Sequence, residues 1–339
     1  MTDASPKHLL IIRLSALGDV AMTVPVIYSL AHQYPHLRIT VLTRGFFARL
    51  MIARPANVEI FEADPKGRHA GPVGLARLIR EVRSLAPDMV ADFHDVIRSR
   101  VLRNMLRLSG ARVATVDKDR SARRNLTRHS GKISDRQRSY IDRYGDTLSR
   151  LGLPVNIGFT SLYPDAVRDP DAVGIAPFAR YMTKTYPAEL MEQVVARLSS
   201  EGKKIYLFGS KGDEAAILNE WASKYPGTES MPGKLGIEDE IALMSRLGVM
   251  VTMDSANMHI ASLAGTPVVS VWGGTTPQCG FMGYGQSDDN AVSLGLPCQP
   301  CSIAGSTRCR QSHFRCMRDI APDTIVEKVE AILSQLPKA

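Results

Sequence analysis

Short apolar runs alternate with amphipathic stretches along almost the whole chain. Residues 8–14 (HLLIIRL), 38–43 (RITVLT), 58–61, 88–93 and 111–116 have the length and composition of buried strands. Between and after them, 20–32, 46–53, 72–85, 97–108 and 140–151 place apolar residues at helical spacing. The second half repeats the alternation, with strands at 172–176, 203–208, 249–253 and 268–271 and helices at 187–200, 238–246, 256–264 and 323–336. Another helix follows residue 214. Repeated strand–helix units predict an α/β fold of parallel sheets with helices on both faces. Gly18 permits a tight turn after the first strand, Asp19 falls at the next helix's N-terminal end, and Pro25 sits where a missing N–H costs little. That first turn lacks the G-x-G-x-x-G pattern, so no dinucleotide fingerprint is present. The stretch 117–138 breaks the alternation: it is polar, basic and long for a loop, which makes it either functional or mobile.

At 339 residues the chain is about twice the usual domain length, and 153–171, with Pro154, Pro164 and Pro170, resembles a linker. The expected domains are 1–160 and 161–320, with a ligand held in a cleft between them. A terminal helix in 321–339 is expected to pack at the domain junction.

One strand–helix–strand unit carries more than packing. Residues 249–277 (VMVTMDSANMHIASLAGTPVVSVWGGTTP) run from an apolar strand through Asp254-Ser255 into a helix, and Gly265 with Pro267 ends that helix. Free N–H groups where a strand delivers its end to a helix suit phosphate, and His259 in the first turns can add a donor. The plainer alternative makes Asp254 an ordinary helix cap.

Composition is that of a soluble globular protein, 44% hydrophobic and 22% charged, with no apolar run near the roughly 20 residues of a membrane span. The N-terminal apolar run is too short for a signal peptide, so a cytoplasmic location is expected. Charge is uneven. Between Arg98 and Arg143 twelve Arg and two Lys face four Asp, more than the whole chain's net +8, so the remainder is slightly acidic. Such a patch points to an anionic partner: nucleic acid, an acidic membrane surface or a phosphorylated substrate. Aromatic interleaving is slight, Tyr140 alone, which argues against nucleic acid. Cys298, Cys301, Cys309 and Cys316 gather four of the five cysteines into 19 residues. In a reducing compartment this clustering favours metal over disulfides, and two readings stand: a structural zinc site or free structural thiols.

Three motifs make the chain recognisable. Ile12-Arg13-Leu14-Ser15-Ala16-Leu17-Gly18-Asp19-Val20, the segment from Pro177 through Lys184-Thr185-Tyr186-Pro187, and Asp254-Ser255-Ala256-Asn257-Met258-His259 resemble glycosyltransferase family nine, the ADP-heptose:lipopolysaccharide heptosyltransferases. The motifs stand in the family's order, and the similarity spans nearly the whole chain; Tyr186 occupies a position where tryptophan is commoner. The resemblance implies a GT-B fold, two Rossmann-like doubly wound domains facing a central cleft, with acceptor on the first and nucleotide-sugar on the second. It implies an inverting transfer with no catalytic metal. Asp19 is then the base and Lys184 offsets charge on the leaving diphosphate. Ser210, Asp213, Glu214, Asp254, Ser255, Ala256, Asn257 and His259 form the donor set, with Asp213 and Glu214 placed for the ribose or base. Ser15, Gly18, Arg98, Arg100, Arg120, Arg123 and Arg124 form the acceptor set. The implied partners are a nucleotide-sugar that donates a heptose or a related sugar, with ADP-heptose the expected donor, and a phosphorylated lipid A–core glycolipid at the inner membrane's cytoplasmic face. A monomer is expected, with no nucleic acid. A catalytically silent nucleotide-sugar-binding relative is the alternative, and the retained Asp19 speaks against it.

Overall fold

The structure, a computed structural model, describes residues 7–128 and 136–337. Contacts divide the chain into two compact units. The described residues up to Lys118, with Tyr140–Phe159, form the first; the described residues of Asp119–Ser139 and those from Thr160 onward form the second.

The first unit runs β1 (His8–Ile12), α1 (Leu17–Ala21), α2 (Val24–Gln33), β2 (Arg38–Arg44), α3 (Gly45–Ala48) and β3 (Val58–Ala63). It continues with α4 (Gly71–Ser84), β4 (Met89–Asp92), α5 (Ile97–Leu108) and β5 (Arg112–Thr115) and, after α6 (Arg120–Leu126) of the second unit, closes with α7 (Tyr140–Ser149). Its strands are all parallel, in the order β3-β2-β1-β4-β5. Every residue of β1 and β4 is buried, the signature of parallel strands covered on both faces. Leu10, Ile12, Leu42 and Val90 pack there with Leu78 and Val82 of α4 and Leu102 and Leu106 of α5.

The second unit carries β6 (Asp169–Ala176), α8 (Ala188–Ser200), β7 (Lys204–Leu207), α9 (Asp213–Lys224), β8 (Thr228–Ser230) and α10 (Ile237–Met244). After these come β9 (Leu247–Met253), α11 (Ala256–Leu263), β10 (Val268–Val271), β11 (Ala291–Val292), α12 (Arg315–Arg318) and α13 (Pro322–Leu333). Its sheet is also parallel throughout, in the order β11-β10-β9-β6-β7-β8. The terminal helix α13 buries Ile325, Val329, Ile332 and Leu333 in this unit's core, packing against α8, β9 and β10. Two doubly wound parallel-sheet domains are thus present, as the alternation predicts.

Three elements differ from the periodicity. The helix expected over 20–32 is two, α1 and α2, because Pro25 cannot donate into a preceding turn and so opens a new helix. Thr23 Oγ1 turns back to Val20 O at 2.7 Å at the break. The helix expected over 46–53 is the single turn α3, which ends at Ala48; the chain beyond it is irregular, with Ala53 at a left-handed φ of 49° shortly before Pro55. Within 117–138, expected to be irregular, α6 forms behind Asp119, whose carboxylate accepts from Ala122 N at 3.1 Å. Residues 129–135 of that stretch lie outside the described residues. From Asp119 on, the described residues of the stretch join the second unit: Gln137 N donates to Gln278 O at 2.9 Å, and Arg136 pairs with Asp288.

Candidate active site

Open parallel sheets bind ligands beyond the strand C-termini at the point where strand order reverses. In the first unit that point lies between β1 and β4, and in the second between β6 and β9. The segments that follow these four strands carry Asp19, His94, Lys184 and Asp254.

After β1 the chain passes through Arg13 and Ser15 into α1, whose first turn contains Asp19. Arg13 is buried, its guanidinium 2.5 Å from Asp19 Oδ2 and 2.7 Å from the Phe93 carbonyl. The Ala16 N–H donates to the same Asp19 oxygen at 3.0 Å, so the carboxylate closes on its own helix start. Burial alone would lower the Arg13 pKa, but nearby Tyr144 and Asp19 outweigh it and raise it. This pair is a preorganised carboxylate at a strand end, suited to accept a proton or a hydroxyl hydrogen bond. Gly18 contributes its carbonyl to Met22 N at 3.0 Å within the same turn.

After β4 comes His94, which the sequence reading passed over. It is buried, its backbone N–H bonded to Asp92 Oδ1 at 2.9 Å and its Nε2 3.3 Å from Ser15 Oγ. Its Nδ1 has no partner among the described residues. Burial, then Arg13 and Lys118, lowers its pKa to about 4, so the ring is neutral near pH 7. The usable signal was a histidine at the end of a buried strand at the reversal point. Arg13 was equally legible in principle, as a lone charge inside the apolar run 8–14.

Three of the four arginines of α5 are already engaged. Arg100 forks onto Asp95 at 2.8 and 3.0 Å, Arg103 bridges Asp92 and Asp95, and Arg98 donates to His69 O at 2.7 Å. Burial favours a raised Asp95 pKa, yet hydrogen bonds from Arg100 and Arg103 bring it down to about 2. Arg120 and Arg124 are exposed and Arg123 half-buried on α6, which groups with the second unit.

In the second unit the loop after β6 forms a 3-10 turn, Met182–Lys184, and the loop after β9 begins with Asp254. Lys184 Nζ, half-buried, lies 2.8 Å from Oδ2 of the buried Asp254, and Thr275 Oγ1 donates to the same oxygen at 2.6 Å. Asp254 is therefore not a helix cap; Ser255 holds the N-cap position, without a side-chain cap bond, and its Oγ meets Thr252 Oγ1 at 3.2 Å. Ala256 and Asn257 open α11, so the helix N-terminus and the lysine flank one carboxylate. His259 is buried on the same helix. The Lys184 turn is clamped from two loops: Gly274 N donates to Thr183 O at 2.7 Å, and Thr183 and Ser306 exchange bonds in both directions. Gly273 and Gly274 are required there, since a Cβ would lie 2.7 Å from Thr183 O or 2.9 Å from Thr183 Cβ. Tyr186 closes the segment, buried, its hydroxyl on Ile320 O at 2.7 Å.

Ser210, Asp213 and Glu214 follow β7. Glu214 Oε2 accepts the Ser210 N–H at 2.6 Å, so this carboxylate braces its own loop while Asp213 opens α9. Cys298, Cys301, Cys309 and Cys316 are unbridged thiols that line one small cavity with His313 and Phe314. Among the described residues no group of three or more His, Cys, Asp or Glu stands arranged to hold a metal ion, so the expected zinc array is not preformed. Burial pushes the Cys316 thiol up to about 12, and the thiols of Cys301, Cys298 and Cys309 add to the shift.

Comparison with known proteins places this geometry in a family. Residues 75–309 match the model of glycosyltransferase family 9 (heptosyltransferase). Lipopolysaccharide heptosyltransferase 3 of Escherichia coli is 25% identical over 279 residues, 76% of this chain and 81% of that protein. Lipopolysaccharide heptosyltransferase 1 of Pseudomonas aeruginosa is 23% identical over 87% of this chain and 86% of its own. Among solved structures, a family 9 glycosyltransferase from Veillonella parvula superposes with a TM-score of 0.73 at 19% identity, covering 98% of this chain and 99% of that one. The E. coli heptosyltransferase WaaC with ADP gives 0.67 at 17% identity, covering 96% and 99%. The fold is thus that of the GT-B heptosyltransferases, as the resemblance implies. With the matched segment covering well over half of the chain, the chain belongs to glycosyltransferase family 9 and is a glycosyltransferase.

Proposed function

We propose that the chain transfers a heptose from ADP-heptose to a phosphorylated lipopolysaccharide-core acceptor, with inversion and without a metal in the transfer step. The observation that carries this reading is the pairing of Lys184 with the buried Asp254 at the start of α11. A fixed ammonium beside a helix N-terminus is a receptor for a diphosphate, and it supplies positive charge where a leaving diphosphate gains negative charge. In the proposed reaction the acceptor hydroxyl oxygen forms a bond to the anomeric carbon as the bond from that carbon to the diphosphate breaks. The hydroxyl proton passes to Asp19, held in place by Arg13, and the nucleoside diphosphate leaves against Lys184 and the α11 N–H groups. Neutral His94, with Ser15, orients the acceptor hydroxyls. Similarity to the heptosyltransferases of E. coli and P. aeruginosa, and to a structure solved with ADP, supports heptose and adenine as donor parts.

The acceptor side carries a further feature that fits a membrane-borne substrate. Ile97, Val101, Met105 and Leu108 form one exposed apolar stripe along α5, and Ile97 and Leu108 are more than 80% exposed. Arg107 lies exposed beside it, within the most basic stretch of the chain. An apolar stripe edged by arginine suits the boundary of an anionic bilayer, which supports peripheral association. Among the described residues no helix is long and apolar enough to cross a membrane.

The donor half is tested by Lys184→Ala, read by calorimetric titration with ADP. Loss of one charge-assisted contact is expected to weaken ADP by about 10-fold or more, while EDTA leaves transfer by the native protein unchanged. Wild-type ADP affinity in the variant, or activity restored only by magnesium after chelation, contradicts the reading.

A further inference from the structure

The four clustered cysteines have no part in the transfer chemistry, yet their surroundings are specific. Cys298, Cys301, Cys309 and Cys316 all line one small cavity, while Cys279, the fifth, lies buried outside it. Two come from a C-x-x-C turn, which lets two sulfurs face one centre, and two return from the far side of the loop. The return is made by left-handed residues, Ser312 (φ 56°) and Phe314 (φ 51°), which non-glycine residues adopt at a cost. From 293 to 314 the chain forms neither helix nor strand, and of these residues only Gln299 and Pro300 are fully buried. A structureless stretch of that length inside a compact unit needs something other than a hydrophobic core to hold it.

We infer that these four thiols form a tetrathiolate site for one thiophilic metal ion, zinc or ferrous iron, which fixes the 298–316 loop against the Lys184 turn. Four sulfur donors in tetrahedral array select zinc or iron over magnesium or calcium. On binding, four S–H protons are released, four metal–sulfur bonds form, and the site carries a charge of about −2. Arg310 lines the same cavity, and Arg308 and Arg315 flank it in sequence, so compensating charge is at hand. Among the described residues the sulfurs do not stand in a ligand array, so in this proposal the four side chains turn toward the cavity they line as the ion binds. The loop reaches the donor site directly. Cys301 N and Ser302 N donate to Gly274 O at 3.0 and 3.1 Å, Gln299 Nε2 to Gly273 O at 2.7 Å, and Ser306 bonds Thr183 next to Lys184. Holding the loop therefore holds the lysine.

The test is elemental analysis of the full-length protein, expressed in metal-replete medium and purified without a metal-affinity step. About one zinc or iron ion per chain is expected, lost in the Cys298→Ser/Cys309→Ser variant and kept in Cys279→Ser. Should the isolated protein be metal-free, titration with Co(II) under reducing conditions is expected to give the charge-transfer absorption of a cobalt–thiolate site, absent in the double variant. Metal kept by the double variant, or a wild-type protein that neither carries metal nor develops the cobalt band, overturns the inference. These readouts involve no sugar, so they stand apart from the transfer reaction.

Discussion

At the scale of single residues, the first unit's site rests on two buried groups whose charge states differ. Arg13 stays charged and holds Asp19; His94 stays neutral and presents a nitrogen beside Ser15. The neutral histidine has a measurable consequence. Its pKa is about 4 in the folded chain against an ordinary 6.5, so between these values the unfolded chain binds a proton that the folded chain does not. Stability therefore rises with pH through that window and is lost as pH falls below about 6.5 toward 4. The loss between pH 7 and pH 5 is expected to be about 2 kcal/mol. Urea unfolding of the native protein and His94→Gln at both pH values checks it: the variant should have a distinctly flatter dependence. Equal slopes would show that His94 is hydrated and titrates normally. Asp254 and Lys184 were legible as motif residues, but their mutual contact was not, because a partner 70 positions away leaves no local trace.

At the scale of elements, strands were easier to find than helix breaks. Largely apolar runs such as 8–12 and 268–271 have one reading in an alternating chain, and both are buried parallel strands. Amphipathic runs tolerate a break without losing their period, which is why α1 and α2 looked like one helix and why α6, with no buried residue, gave no apolar signal. The element that matters most for the donor is the glycine pair after β10. A Cβ on Gly273 would meet Thr183 O and Met317 Cε, each at 2.7 Å, and backbone cannot yield cheaply. Gly273→Ala is expected to displace the Lys184 turn, lowering stability by about 1–3 kcal/mol and ADP affinity by about tenfold. Gly158→Ala, where a Cβ meets nothing within 4 Å, is the control and should change neither. Thermal unfolding and ADP titration of the two variants decide it; a Gly273→Ala protein with native ADP affinity would detach the glycine loop from donor binding.

At the scale of the whole molecule, two parallel sheets with their reversal points at β1/β4 and β6/β9 explain why the motifs lie where they do along the chain. The alternation made that architecture legible, and the three motifs made the family legible. The stretch 117–138 was harder: its charge was plain, but its grouping with the second unit depends on backbone contacts such as Gln137 to Gln278 that composition does not encode. Membrane association belongs to this scale too. Replacing Ile97 and Leu108 with serine is expected to reduce binding to anionic vesicles several-fold, with ADP affinity unchanged, since each removes an exposed apolar anchor and no donor contact. Sedimentation with phosphatidylglycerol vesicles measures it, and undiminished binding would remove α5 from the membrane face. The most direct test of the account is the transfer itself: ADP-heptose and a heptose-deficient lipopolysaccharide core, followed by mass spectrometry, with wild-type protein and Asp19→Asn side by side. The account predicts an acceptor heavier by one heptosyl residue and equimolar ADP with the wild type, and turnover about 10²–10⁴-fold lower in the variant. Equal turnover by the two proteins, or no heptosyl product from a folded wild type that binds ADP-heptose, would contradict it.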